Sequence, residues 1–302
     1  MFRLIAALAI TATLSGPVED DRGRPVVLLV HGRGMLDIDT AATRKMWLEA
    51  LTAGAKSTGA QPLITDRDVR VVWYADVLDP RSSGGCDYAL SDPRTRRGTS
   101  GDPELRNVVA TAGLILGALT NLIEDRQAGT QLRTLSADAS FLSDSRKRCA
   151  SEQRLGDALE RAQREGRPAI VIAHSLGALV AYDYLSARTD TGLVQRLITI
   201  GSPAGAASLR RLLIGGDESD TLSRPASVKS WINIRNENDW FAAPISVGRD
   251  VLVTPAIGEM DPHEMVGYLR GAATNAEVVG AWCSAFAVKA PSGCASVRQL
   301  PP

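Results

Sequence analysis

Short apolar runs recur along the chain and are separated by polar or glycine-rich turns. The clearest run, VVLLV within residues 25–32, is apolar at every position rather than at alternate positions. That pattern is typical of a parallel strand buried on both faces of a sheet. On this basis we predict six strands, at residues 25–32, 69–76, 168–173, 194–203, 228–236 and 249–255.

Two segments between the predicted strands carry helical patterns. Residues 40–58 begin at an Asp-Thr cap, end near a glycine and place Trp47, Leu48 and Leu51 on the inner face. A second helix is predicted over residues 176–187. Strands that alternate with helices favour an α/β fold, with a mostly parallel central sheet flanked by helices.

Residues 77–150 interrupt this alternation. They contain charged turn sequences such as SDPRTRRGTSGDP and, between these, apolar positions in Leu105–Ile123 spaced as on one face of a helix. We predict an inserted helical cap over the sheet at 77–150; the alternative is a helix that packs on the sheet between long loops. Because there is no internal repeat and no clear linker, residues 21–302 are predicted to form a single domain.

Composition supports one large core and argues against two classes of binding. Of the 302 residues, 44% are hydrophobic, which is enough for one elaborated domain. The formal net charge is zero and no basic run is long, so we expect no nucleic acid as a partner. Four cysteines without a C-x-x-C pair, together with three histidines, do not favour a metal site.

Two features favour export of the protein. In residues 1–20, one positive residue precedes the apolar and small residues LIAALAITATLSG. This run is shorter than the roughly 20 residues that span a bilayer, so it predicts a secretory signal and no stable transmembrane anchor; a buried first strand or helix is the alternative. The four cysteines permit three pairings. Two local disulfides, Cys86 with Cys149 and Cys283 with Cys294, would suit an exported protein, and free buried thiols are the alternative.

The first candidate for chemistry is Ser175, in the sequence AHSLG between a predicted strand and a predicted helix. A nucleophile at such a turn adopts strained backbone angles, so the residues two before and two after it must be small. Ala173 and Gly177 meet this requirement, although alanine replaces the usual glycine at the first position. An ordinary serine between a buried strand and a buried helix is the alternative.

The chain offers three histidines as partners for this serine: His31, His174 and His263. His174 is adjacent to the serine, so we expect its side chain to point elsewhere and to support the turn. His263 lies in a proline-preceded turn before an apolar helix, where a general base could reach the serine. A surface or helix-capping histidine is the alternative for that position.

The sequence His31-Gly32-Arg33-Gly34 ends the first predicted strand. A glycine-rich turn there could direct a backbone N–H toward the serine, and the N–H that follows the serine could complete an oxyanion hole. The predicted donors are the N–H groups of Arg33 and Leu176. We expect His31 to order the turn by hydrogen bonding; a plain strand-exit loop is the alternative.

An acid that orients His263 is expected on a loop after a later strand. The sequence NENDWFAAP follows the fifth predicted strand and contains Glu237 and Asp239. We prefer Asp239, because its loop can turn back to the sheet edge. The other candidates are Glu237, Asp217, Glu218 and Asp261.

Together these segments resemble the α/β-hydrolase superfamily of serine hydrolases, in its lipase- and esterase-like branch. VVLLVHGRG resembles the family's oxyanion strand, and VIAHSLGALVA resembles its nucleophile elbow. LITIGSP resembles the strand that follows, NENDWFAAP the acid loop and DPHEMVGYL the histidine loop. The order Ser…Asp…His is also the family's order. The resemblance covers residues 25–76 and 168–270.

The resemblance implies hydrolysis of carboxylic esters by Ser175, His263 and Asp239 through an acyl-enzyme intermediate, without a cofactor. We expect a small-molecule or lipid-like ester as substrate, since residues 105–123 could cover an apolar pocket. Acyl transfer by the same triad is one alternative. A catalytically silent scaffold of the same fold that binds a ligand is another.

Overall fold

The computed structural model describes residues 21–36, 38–79, 81–89, 140–206, 209, 213, 222–253 and 261–297. Within these ranges six strands form one sheet, and every neighbouring pair is parallel. In chain order the strands are β1 (Val26–Val30), β2 (Val69–Val72), β3 (Ala169–His174), β4 (Val194–Ile200), β5 (Trp231–Asn236) and β6 (Arg249–Val253). The six predicted strands are confirmed, and so is the parallel sheet.

Helices cover both faces of the sheet. They are α1 (Thr40–Ser57), α2 (Ala75–Leu78), α3 (Ser145–Arg164), α4 (Leu176–Ser186), α5 (Met265–Arg270) and α6 (Ala272–Ser284), with 3-10 turns at Asp66–Asp68 and Ser292–Ser296. Apolar residues of α3 and α4 share one buried cluster with the sheet, while α1, α5 and α6 share the other. The described part of the chain therefore has three layers, α/β/α, as the α/β class requires.

Strand β1 explains why an uninterrupted apolar run was the signal for a strand. Its side chains alternate between the two clusters: Val26, Leu28 and Val30 join one, and Val27 and Leu29 join the other. All five are fully buried. A strand covered on both faces has no position at which a polar side chain would meet water.

The strand order is β2-β1-β3-β4-β5-β6. From β1 the chain first moves outward to β2 and then returns to the other side of β1 as β3. In open parallel sheets, ligands bind at this switch point, beyond the carboxyl ends of the strands. Here the two strands that flank the switch point end at Val30 and His174, so the turns that contain His31 and Ser175 border it.

Two strands, β2 and β4, end at least three residues earlier than predicted, and β1 ends two residues earlier. The prediction for the second strand was 69–76, but β2 ends at Val72 because Tyr74 turns into the core. There its hydroxyl donates to the His31 carbonyl at 2.6 Å, and α2 begins at the next residue. The fourth predicted strand, 194–203, ends at Ile200, and beyond it the Ser202 carbonyl accepts a hydrogen bond from a loop rather than from a strand.

The predicted helix at 40–58 is confirmed within one residue. Asp39 caps α1 by accepting a hydrogen bond from the Ala41 N–H at 2.8 Å. Trp47 and Leu51 are buried against the sheet, while Leu48 is only partly buried.

Within the described ranges, no helix is both long and apolar enough to cross a membrane.

Both predicted disulfides are present, Cys86–Cys149 and Cys283–Cys294. The first joins the segment after α2 to the first turns of α3, and the Cys86 N–H also donates to the Arg146 carbonyl. Residues 145–150, the last part of the predicted cap at 77–150, therefore begin a helix of the three-layer core. The apolar stripe at 105–123 and the predicted signal at 1–20 lie outside the described residues.

The two disulfides should differ in what they contribute to stability. The bridged cysteines are 63 residues apart in one case and 11 in the other. Loop-closure entropy then predicts a loss in the free energy of unfolding of about 4 kcal/mol for the Cys86→Ala/Cys149→Ala variant and about 3 kcal/mol for Cys283→Ala/Cys294→Ala. Urea unfolding at equilibrium measures both values. The reverse order would contradict a contribution dominated by loop closure.

Candidate active site

Ser175 lies at a strained turn between β3 and α4. Its backbone has φ 53° and ψ −123°, and it is the one non-glycine residue with positive φ among the described residues. Such a conformation costs about 1–3 kcal/mol and persists only where the surrounding structure imposes it. The Ser175 N–H donates to the Ile200 carbonyl at 3.1 Å, which ties the turn to the end of β4. The strained serine expected from the AHSLG sequence is therefore present.

The close approach of α4 to β1 imposes this turn. A Cβ atom on Gly177 would lie 2.3 Å from the His31 carbonyl oxygen and 2.7 Å from that of Val30, so no side chain fits there. Ala173, two residues before the serine, is fully buried. The two positions that the sequence required to be small are therefore buried at the crossing of helix and strand.

Ser175, His263 and Asp239 form a continuous chain of hydrogen bonds. The Ser175 Oγ lies 2.8 Å from the His263 Nε2. On the other side of the imidazole, Nδ1 lies 2.9 Å from each carboxylate oxygen of Asp239. Since Nδ1–H donates to the carboxylate, Nε2 is left free to accept the hydrogen of the serine hydroxyl.

Asp239 is the acid that meets His263, and the other candidates are not. Glu237 is exposed, and Asp261 accepts the backbone N–H of His263 at 2.9 Å rather than its imidazole. Asp217 and Glu218 lie outside the described residues. Asp239 itself is buried. A carboxylate interacts more strongly with an imidazole in the protein interior than at the surface, because the interior screens charge less than water does.

Three donors converge on the Asp239 carboxylate. Burial by itself would raise the pKa of Asp239, but the hydrogen bond from His263 and further bonds from the Tyr268 hydroxyl and the Phe241 N–H outweigh it and leave that pKa below its ordinary value. The Tyr268 hydroxyl donates to Oδ2 at 2.7 Å, and the Phe241 N–H donates to Oδ1 at 3.0 Å. The carboxylate is thus held ionised and in one orientation.

Tyr268 is a site residue that the sequence analysis missed. Its hydroxyl also accepts the Asn236 N–H at 2.9 Å, and burial is the first cause that raises its pKa well above the ordinary value, so it remains a donor. The sequence showed only a tyrosine in an apolar helix after His263, which is also what a core residue would look like. The one available indication was chemical: the hydroxyl of a buried tyrosine usually needs a hydrogen-bond partner.

His31 orders the turn after β1, as expected. Its ring stacks on Tyr74 with centroids 4.1 Å apart, and its Nε2 accepts the Tyr74 N–H at 3.1 Å. The other nitrogen, Nδ1, must then carry the proton that it donates to the Gly32 carbonyl at 2.5 Å. Burial lowers the pKa of His31 to about 4, so the ring stays neutral.

The two segments with the predicted N–H donors both border the serine. A Cβ on Gly32 would lie 3.0 Å from the Ser175 Cβ, so the turn that continues into Arg33 packs directly against the nucleophile candidate. Leu176 is the first residue of α4, and the first N–H groups of a helix have no acceptor within the helix. The Arg33 guanidinium lies 4.4 Å from the Phe241 ring centroid, and that ring lies 4.8 Å from the ring of His263.

His174 points away from the serine and toward the loop of His263. Its Nε2–H donates to the His263 carbonyl at 2.6 Å. Burial, followed by the charge of His263, lowers the pKa of His174 to about 3, so the ring is neutral. The nitrogen that lies within hydrogen-bond distance of the Ser175 hydroxyl belongs to His263, so His174 is not placed as the base for Ser175.

The comparisons with known proteins leave the site to be judged on its own geometry. No protein-family model matches this chain, and no curated protein is significantly similar to it in sequence. Within the part of the chain that the structure describes, no group of three or more His, Cys, Asp or Glu side chains could hold a metal ion.

The two neutral buried histidines predict a loss of stability in mild acid. His31 and His174 have folded pKa values of about 4 and about 3, below the ordinary 6.5 that they regain on unfolding. Their contribution is therefore complete above pH 6.5 and is lost as the pH falls toward the folded values, because the unfolded chain binds protons that the folded chain does not. Acidification from pH 7 to pH 5 should therefore lower the free energy of unfolding by about 3–4 kcal/mol through protonation of these two residues in the unfolded chain.

Urea unfolding at a series of pH values measures this dependence. In the His174→Gln variant, which has one titrating ring fewer, about half of the dependence should remain. A free energy of unfolding that is level between pH 7 and pH 5 would contradict the neutral state of both rings.

Removal of the Tyr268 hydroxyl should destabilise the fold. In Tyr268→Phe the Asp239 carboxylate loses a donor and the Asn236 N–H loses its acceptor. Asp239 keeps its donors from His263 and Phe241, but the buried Asn236 N–H is left without this acceptor, which costs about 1–3 kcal/mol, so the free energy of unfolding should fall by about that amount at neutral pH. Equilibrium urea unfolding measures the change. Unchanged stability would mean that this tyrosine does not hold the carboxylate.

Proposed function

We propose that the protein has the α/β-hydrolase fold and is a serine hydrolase that cleaves carboxylic esters. One observation carries the proposal: the hydrogen-bonded chain from Ser175 Oγ through His263 to Asp239, with the serine on a strained strand-to-helix turn. A nucleophile within hydrogen-bond reach of a base, and a base oriented by a third group, is the arrangement that activates a hydroxyl.

In the proposed mechanism the Ser175 Oγ attacks the ester carbonyl carbon while His263 Nε2 takes its proton. Asp239 accepts the Nδ1–H throughout, which keeps the imidazole in the tautomer that exposes Nε2 and stabilises the imidazolium once it forms. The N–H groups of Arg33 and Leu176 would donate to the oxyanion of the tetrahedral intermediate. His263 then protonates the leaving alcohol, and water repeats both steps on the acyl-enzyme.

The surroundings of the site suit this chemistry. The carboxylate of Asp239 is buried, ionised and saturated with donors, so it can stabilise a cationic imidazole without taking the proton. Ser175 is also nearly buried, at 3% exposure, where charge–dipole interactions are stronger than in water. The site lies at the switch point of the parallel sheet, the usual ligand position in such sheets.

We also propose that the protein is exported. Two disulfides support this, because disulfides form and persist mainly in oxidising compartments. The apolar sequence at residues 1–20 is consistent with a signal segment but enters the argument from sequence alone.

A fluorophosphonate probe tests the proposed nucleophile. We expect the folded protein to be labelled covalently and the Ser175→Ala variant to be unlabelled, with ester hydrolysis reduced about 10⁴-fold or more. Ser227→Ala is the matched control: Ser227 is buried and donates to the Leu185 carbonyl at 2.7 Å, and its removal should leave labelling intact. Absence of labelling in folded wild-type protein would contradict the enzyme proposal and favour a silent scaffold.

A series of chromogenic esters of increasing acyl length, with and without added alcohols, then separates the related activities. Hydrolysis that alcohols do not divert supports the ester hydrolase. If the acyl group is transferred to the alcohol in preference to water, the protein is an acyltransferase that uses the same residues rather than an ester hydrolase.

A further inference from the structure

We infer that His174 is a positioning residue for the proposed reaction, because its Nε2–H binds the His263 carbonyl and thereby fixes the direction from which the imidazole meets Ser175. This inference rests on the proposed function. It gives a role to a histidine whose ring hydrogen-bonds to the His263 carbonyl rather than to the reacting serine hydroxyl or the acid.

The backbone of the loop Asp261–Glu264 carries His263. In the described part of the chain, two of its N–H groups, those of His263 and Glu264, donate within the loop to Asp261. Two side chains from the sheet reach its carbonyls: Asn236 donates to the Pro262 carbonyl at 3.2 Å, and His174 donates to the His263 carbonyl at 2.6 Å. The shorter of these bonds is made to the residue that carries the proposed base.

His174 can hold this carbonyl because its own ring is enclosed. His174 is buried, at 8% exposure, and its ring centroid lies 4.9 Å from that of His263 and 6.3 Å from that of Tyr268. A Cβ atom on Gly32 would lie 2.7 Å from the His174 Nδ1, so the turn after β1 also packs against the ring. The ring therefore lies between the turn after β1, the loop of His263 and the tyrosine that binds Asp239.

The protonation state of His174 suits a fixed donor. A carbonyl can only accept, so the nitrogen that faces it must carry hydrogen. Because burial keeps the pKa of His174 at about 3, the ring has a single N–H at neutral pH, and the contact places it on Nε2. The donor is thus present, in one orientation, throughout the pH range in which a serine–histidine pair works.

The expected consequence is a loss in kcat rather than in substrate binding. The imidazole of His263 must accept a proton from Ser175 across 2.8 Å, and a displacement of about 1 Å in such a geometry costs about 10²-fold in rate. His174 is expected to have no contact with the acyl group, so KM should change little. His174→Leu removes the donor, and His174→Gln supplies an amide N–H at a similar reach.

The test compares these variants with a control that loses the same kind of bond elsewhere. Asn275 is buried and donates its Nδ2–H to the Leu51 carbonyl at 2.7 Å, between α6 and α1. We expect kcat for ester hydrolysis to fall about 10- to 100-fold in His174→Leu. It should return to within a few-fold of wild type in His174→Gln, and it should be unchanged in Asn275→Leu even though that variant loses stability. Urea unfolding checks that each variant is folded.

A second measurement does not depend on turnover. The Nδ1 proton of His263, bound to Asp239, should give a low-field proton resonance that is retained in wild type and His174→Gln and lost or broadened in His174→Leu. If His174→Leu is folded and keeps both kcat and this resonance, or if His174→Gln restores neither, the inference is wrong. If wild type hydrolyses no ester while the resonance follows this pattern, the proposed function fails but His174 still positions the imidazole.

Discussion

The contact between the first turn of α4 and the end of β1 is the constraint on which the site depends. Gly177 lies so close to the carbonyls of Val30 and His31 that a single methyl group could not be added. A helix that begins this close to the neighbouring strand leaves β3 no room for a relaxed exit, so Ser175 takes up the strain at φ 53°. The same contact brings the turn after β1 against the serine, where a Cβ atom on Gly32 would lie 3.0 Å from the Ser175 Cβ.

The parallel sheet supplies the remaining groups from several strand ends. Asp239 lies in the loop that follows β5. His263 lies after β6, two residues before the start of α5. Polar contacts then connect these loops: Tyr268 binds Asp239 and the Asn236 N–H, while His174 binds the carbonyl of His263. The proposed base is therefore held through its ring by Asp239 and through its backbone by His174, and both of these residues are buried, where an unmade hydrogen bond would be costly.

Local spacing explains what could be predicted from the sequence. The strands, the small residues at 173 and 177, and the choice of Ser175, Asp239 and His263 all follow from patterns within a few positions or from the order of elements along the chain. The early end of β2 could not be predicted in this way, because it depends on Tyr74 meeting His31, 43 residues away. Tyr268 and the donor role of His174 were hidden for the same reason: each acts on an atom that only the tertiary fold brings near. The preference for Asp239 over Glu237 rested on loop direction, and the buried position of Asp239 now gives the physical reason for it.

The central claim, that Ser175 carries the acyl group during turnover, is tested most directly by trapping the intermediate. The protein would be mixed with an activated chromogenic ester, quenched in acid within seconds and digested for peptide mass spectrometry. The account predicts one added acyl mass, on the peptide that contains Ser175, which appears on mixing and decays as the ester is consumed. An acyl adduct on a different residue, or release of product without any adduct on Ser175 at any quench time, would contradict it.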